Sequence, residues 1–100
     1  MNSPNNLELV FESLLRLLFF GQYKFVGNGK VIIAGKCPDF INMSGQKIIE
    51  IYGDWWHKGQ NPQKRVNTFR EYGFKTLVLW EHEFNDLKTL VEKVTEFNYG

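Results

Sequence analysis

Lys47-Ile48-Ile49-Glu50-Ile51-Tyr52-Gly53 is the stretch around which the rest of the chain can be ordered. Its β-branched and aromatic residues suit a strand, and Gly53 ends it. Alternation places Ile48, Glu50 and Tyr52 on one face and Ile49 and Ile51 on the other. Glu50 is thus an acid in the middle of an otherwise apolar strand. Burying a carboxylate there costs several kcal/mol unless it is paired or metal-bound. Just upstream, Pro38-Asp39-Phe40-Ile41 carries a second acid in an apolar run. One turn, Asn42 to Gln46, and two half-strands separate the two acids, so adjacent antiparallel strands bring Asp39 beside Glu50. Two neighbouring carboxylates repel unless a cation lies between them. Two hard oxygen ligands suit Mg²⁺, with Mn²⁺ as the alternative. The competing structural readings are a turn residue for Asp39 and a buried ion pair from Glu50 to Lys30 or Lys47.

Outward from this centre, the amino-terminal segment has helical spacing, with Leu7, Val10, Phe11, Leu14, Leu17 and Leu18 on one expected face. Asn5 and Glu8 have the form of a capping box, and Gly21 stops the helix. Tyr23 to Val26 and Lys30 to Ala34 are β-type runs around Gly27-Asn28-Gly29, which predicts a hairpin. Asn61-Pro62 opens a second helix with Val66 and Phe69 inward, ending at Gly73. Phe74 to Trp80 is a continuous apolar run, expected of a strand buried on both faces. Phe84, Leu87, Leu90, Val91, Val94 and Phe97 define a last amphipathic helix. The expected order is α-β-β-β-α-β-α, in one α/β domain spanning residues 1–100.

Composition limits the classes of function. The chain has 100 residues, 43% of them hydrophobic, enough for one packed core and too few for two. Formal charge is +1, so there is no polybasic tail. The basic residues nevertheless cluster between Tyr23 and Lys75, which allows a basic face beside an acidic pocket. Cys37 is the only cysteine, which excludes a disulfide framework and a Cys-based zinc site and fits a cytoplasmic protein. The longest apolar stretch, Leu14 to Phe20, is too short to span a bilayer, so no membrane partner is expected.

After the central strand comes Gly53-Asp54-Trp55-Trp56-His57. Tryptophan favours burial or binding surfaces, and His57 can transfer a proton near neutral pH. The whole string, Gly35-Lys36-Cys37-Pro38-Asp39-Phe40-Ile41 followed by Ile48 to His57, resembles the very short patch repair (Vsr-like) endonucleases and the related EDxHD homing endonucleases. Gly73 to Glu81 resembles the family's final core strand, and the first helix with Glu8 resembles its amino-terminal helix. The likeness runs over roughly residues 5 to 87.

This resemblance implies a PD-(D/E)XK (restriction-endonuclease-like) core, with a mixed central sheet flanked by helices. It implies a Mg²⁺-dependent endodeoxyribonuclease acting on DNA. Asp39 and Glu50 match the metal-holding acids, His57 a proton-transfer group, and Glu8 the acid of the amino-terminal helix, with Glu12 one turn on as substitute. Trp55 and Trp56 match aromatic residues that wedge into the base stack, and Lys58, Lys64 and Arg65 are the expected backbone contacts. Three departures stand out. The family's structural zinc has no ligands here, Tyr52 stands where the superfamily has a lysine, and the last acid of the EDxHD pattern has no match beyond Asn61 or Asp54. Two other readings follow: a junction-resolving or transposon-type nuclease subunit, and a catalytically weakened DNA-binding or assembly domain. In a chain of this length, target specificity is expected from a homodimer or a partner protein.

Overall fold

The computed structural model describes residues 5–55, 59 and 61–100. Along them run helix α1 (Asn6–Leu18), strands β1 (Lys24–Phe25), β2 (Phe40–Asn42) and β3 (Lys47–Tyr52), helix α2 (Gln63–Glu71), strand β4 (Lys75–Trp80), a 3₁₀ segment (Glu81–Asn85) and helix α3 (Leu87–Tyr99). The strands form one mixed sheet in the order β1-β2-β3-β4. β1, β2 and β3 pair antiparallel, whereas β3 and β4 pair parallel, Ile48 opposite Thr76 and Tyr52 opposite Trp80. Parallel neighbours need a crossover, and α2 supplies it. The fold is therefore α/β, with a four-stranded mixed sheet and three helices; the order α-β-β-β-α-β-α is kept, with the 3₁₀ segment before α3 and without the strand expected at Lys30 to Ala34. Among the described residues no helix is long and apolar enough to cross a membrane.

The sheet has a core on each face. On one, Phe11, Leu15 and Phe19 from α1 and its C-cap pack with Leu90, Val94 and Phe97 of α3 over Phe40, Ile49 and Leu79. On the other, Phe69 of α2 packs with Val26, Ile33, Ile41 and Ile48. Alternation along β3 thus sends Ile49 to the α1/α3 side, and Ile48 and Glu50 to the α2 side. Local signals fix the ends. Asn5 and Glu8 form the expected capping box, each side chain accepting from the other's backbone N–H at 2.8–2.9 Å. Gly73, at φ 89°, ends α2 in a Schellman motif: its N–H donates to Arg70 O, and that of Phe74 to Phe69 O.

Three expectations need correction. The phase of α1 is shifted: Val10 and Leu17 are 61% and 84% exposed, while Leu15 and Phe19 are buried. An apolar run this dense fits several helical phases, and the contact with Phe40 and α3 selects one. The turn at Gly27-Asn28-Gly29 forms, with Gly29 N–H donating to Val26 O, yet Lys30 to Ala34 does not return as a strand. The segment β1 faces is instead Asp39–Asn42: Val26 N–H donates to Asp39 O at 2.7 Å, and the Phe25 and Phe40 rings meet edge to face. Residues 33–36 close on themselves through an Ile33–Lys36 bridge. Its two-residue turn, Ala34 and Gly35, lies at φ 53° and 75°, as a primed turn requires. Last, β4 is an edge strand in which only Leu79 is fully buried, so its apolar run is half-covered.

Candidate metal centre

The register of β2 on β3 sets the site. Phe40 pairs with Ile49, so the next position along puts Asp39 opposite Glu50, where the ladder ends. Here side chains take over from backbone pairing. The N–H of Asp39 donates to Glu50 Oε2 at 3.0 Å, and the N–H of Ile51 donates to Asp39 Oδ2 at 2.9 Å. Each acid is thereby locked by a backbone donor of the opposite segment. Glu50 is 2% exposed and Asp39 half-buried.

The third member comes from α2. Arg65 Nε pairs with Glu50 Oε1, and Arg65 Nη2 donates to Cys37 O at 2.8 Å. The guanidinium also lies over the Phe69 ring, 5.3 Å from its centroid. The electrostatics follow from this geometry. Burial, and then the charge of Glu50, push Asp39 up to about 8, against the Ile51 N–H; Glu8 adds to the rise and Arg65 opposes it. Burial likewise raises Glu50, with Arg65 the main opposing influence. Tyr52 is raised as well, by burial first and then by Glu50.

Both acids open onto a cleft of about 570 Å³, whose walls include Glu8, Lys36, Tyr52, Asn61, Lys64 and Arg65. Another cleft of about 600 Å³ lies around Lys24, Asn42, Lys47 and Asn98. Among the described residues no carboxylate lines it, and its Asn98 is already bonded to Tyr23 and Lys47. The candidate metal site is the cleft that holds Asp39 and Glu50. Among the described residues no group of three or more His, Cys, Asp or Glu side chains is arranged around one ion position. Two carboxylates suit Mg²⁺, which is commonly held by one or two acids with water and substrate phosphate completing the shell. They do not make a closed structural site.

The site residues expected from sequence separate into three groups. Asp39, Glu50, Glu8 and Lys64 line the cleft together, although the Glu8 carboxylate also caps α1. Arg65, expected as a backbone contact, lines the same cleft with its guanidinium on Glu50 and Cys37 O. Trp55 is 77% exposed. Trp56, His57 and Lys58 lie outside the described residues. Among the stand-ins, Asn61 lines the cleft and accepts from Gln63 N–H at 2.9 Å, whereas Asp54 pairs with His82 at 2.8 Å. Tyr52 is buried, its ring edge to face with Trp80.

Sequence reasoning missed Arg65 as the partner of Glu50, having considered Lys30 and Lys47. The available signal was its place four residues before the buried Phe69, on the same face of α2. No protein-family model, curated protein or solved structure matches the chain.

Proposed function

We propose that the chain is a metal-dependent endodeoxyribonuclease with a PD-(D/E)XK core of the Vsr-like kind. The observation that carries this reading is the placing of Asp39 and Glu50 opposite each other at the end of a strand pair, both open to one cleft. When bound there, Mg²⁺ supplies polarisation of the scissile phosphate and a lower pKa for the attacking water. The chain's own residues do the rest. Asp39 and Glu50 hold the ion, each fixed by a backbone N–H, so little reorganisation is needed at the moment of reaction. Lys36 and Lys64 on the cleft wall meet backbone phosphates, a contact that positions DNA without reading its sequence. His57 moves a proton, and Glu8 on the cleft wall orients water.

A second reading has support of its own. The pairing of Glu50 with Arg65 leaves a neutralised carboxylate, and among the described residues no third acid or histidine joins Asp39 and Glu50 around one ion position, Glu8 lining the cleft apart from them. Those features favour a DNA-binding or assembly domain that kept the fold. Supercoiled, mismatched and branched DNA incubated with Mg²⁺, Mn²⁺ or EDTA separates the two. Metal-dependent cleavage supports the enzyme, substrate preference identifies a junction-resolving variant, and binding without cleavage supports the second reading.

A further inference from the structure

The Arg65–Glu50 pair has a feature that a purely structural ion pair does not need. Glu50 is 2% exposed while the Arg65 side chain is 30% exposed, so the arginine is the partner of the pair that reaches solvent. It is also fixed in place, with Nη2 on Cys37 O and the plane over Phe69. Of the two Glu50 oxygens, Oε2 already accepts the Asp39 N–H, and Oε1 is the one Arg65 covers. An ion shared by Asp39 and Glu50 therefore arrives at a carboxylate that already has a cation on it, whichever of its oxygens it takes. Like charges on one carboxylate in a half-enclosed cleft repel strongly.

We infer that Arg65 is the resident cation of this cleft, and that a divalent ion binding at Asp39 and Glu50 displaces its guanidinium from Glu50. The inference rests on the metal reading above and adds how the site is regulated. In the unloaded protein Arg65 prevents Glu50 from standing as an unpaired buried charge. On loading, the ion takes over that neutralisation. Tethered to α2, the freed guanidinium stays beside Lys36 and Lys64 and joins the cations that meet a phosphate, for which its planar fork is suited. Ion and DNA binding then become coupled through one side chain, since only the loaded cleft presents a free guanidinium.

The test follows the Arg65 Nε–H resonance of the ¹⁵N-labelled full chain, assigned by its loss in Arg65→Lys, during titration with Mg²⁺ and separately with Ca²⁺. Calorimetry of ion binding to the wild type and to Arg65→Gln runs alongside. The expected result is a shift of the resonance that saturates with the ion, together with binding about 3- to 10-fold tighter in Arg65→Gln, as removal of a competing charge requires. Ion binding with the resonance unmoved overturns the inference and leaves the metal site standing. So does weaker binding by a folded Arg65→Gln. If no ion binds to either protein, the metal reading of the cleft falls and this inference with it. Should Arg65→Gln fail to fold, the wild-type titration alone decides.

Discussion

Asp39 and Glu50 face each other at the end of the β2–β3 ladder, and the backbone N–H of the first is held by the carboxylate of the second. Burial and this proximity raise Asp39 to about 8, from an ordinary value of 3.8. Between those two values the folded protein keeps a proton that the unfolded chain has released. The contribution to stability is therefore fully present at the acid end and is lost as pH rises through about 8. Without divalent ions, thermal stability should fall between pH 5.5 and 8.5, and Asp39→Asn should flatten that slope. A wild-type melting temperature that rises across the window, or an unchanged slope in the variant, would contradict the assignment.

The same proton links pH to ion binding. An ion needs Asp39 ionised, so binding near pH 6.5 should release up to one proton, and affinity should rise until pH passes about 8. Calorimetry in buffers of different ionisation enthalpy measures the release directly. Affinity independent of pH over this range would mean that Asp39 is not a ligand.

Two histidines can be told apart by mutation. His57→Ala should lower turnover by about 10²–10⁴-fold and affect DNA affinity much less, as loss of an acid–base group does. His82 instead forms an exposed pair with Asp54, where a typical contribution to stability is below about 1 kcal/mol. His82→Ala should therefore leave turnover within a few-fold. Reversed results would transfer the proton-transfer role to the Asp54–His82 pair.

Trp55 leaves most of its indole in water, which a base stack would cover at about 1–3 kcal/mol. Wedging must offset unstacking, so it favours duplexes already weakened by a mismatch. Trp55→Ala should erode the preference for mismatched over matched duplex by up to about tenfold with ion binding unchanged. Parallel cleavage assays check this, and a variant with intact selectivity would remove the wedge role.

Much of this arrangement was legible in the residues because it rests on local rules. Period-2 alternation in β3 put Glu50 on the face opposite Ile49, and the short turn after Asn42 brought Asp39 alongside. The capping box at Asn5 and Glu8 and the glycine end of α2 are equally local. What escaped depends on distant partners. Nothing near Gly27-Asn28-Gly29 tells β1 to pair with Phe40 and not with Lys30 to Ala34; the Phe25–Phe40 ring contact and the packing of Ile33 against the α2 side decide it. The phase of α1 depends in the same way on α3, some 80 residues later. Arg65 was hidden because an arginine on a polar helix looks solvated until the strand beneath it is known to carry a buried acid.

The most direct test of the account is cleavage of supercoiled plasmid by the purified protein in Mg²⁺, in EDTA, and by Asp39→Asn and Glu50→Gln variants of verified fold. The expected result is nicking or linearisation in Mg²⁺ that EDTA abolishes and that each substitution lowers by at least about 10²-fold, the order expected for lost transition-state charge stabilisation. Cleavage that persists in EDTA or in a folded Asp39→Asn protein, or a wild type that binds DNA without ever cutting it, would contradict the account.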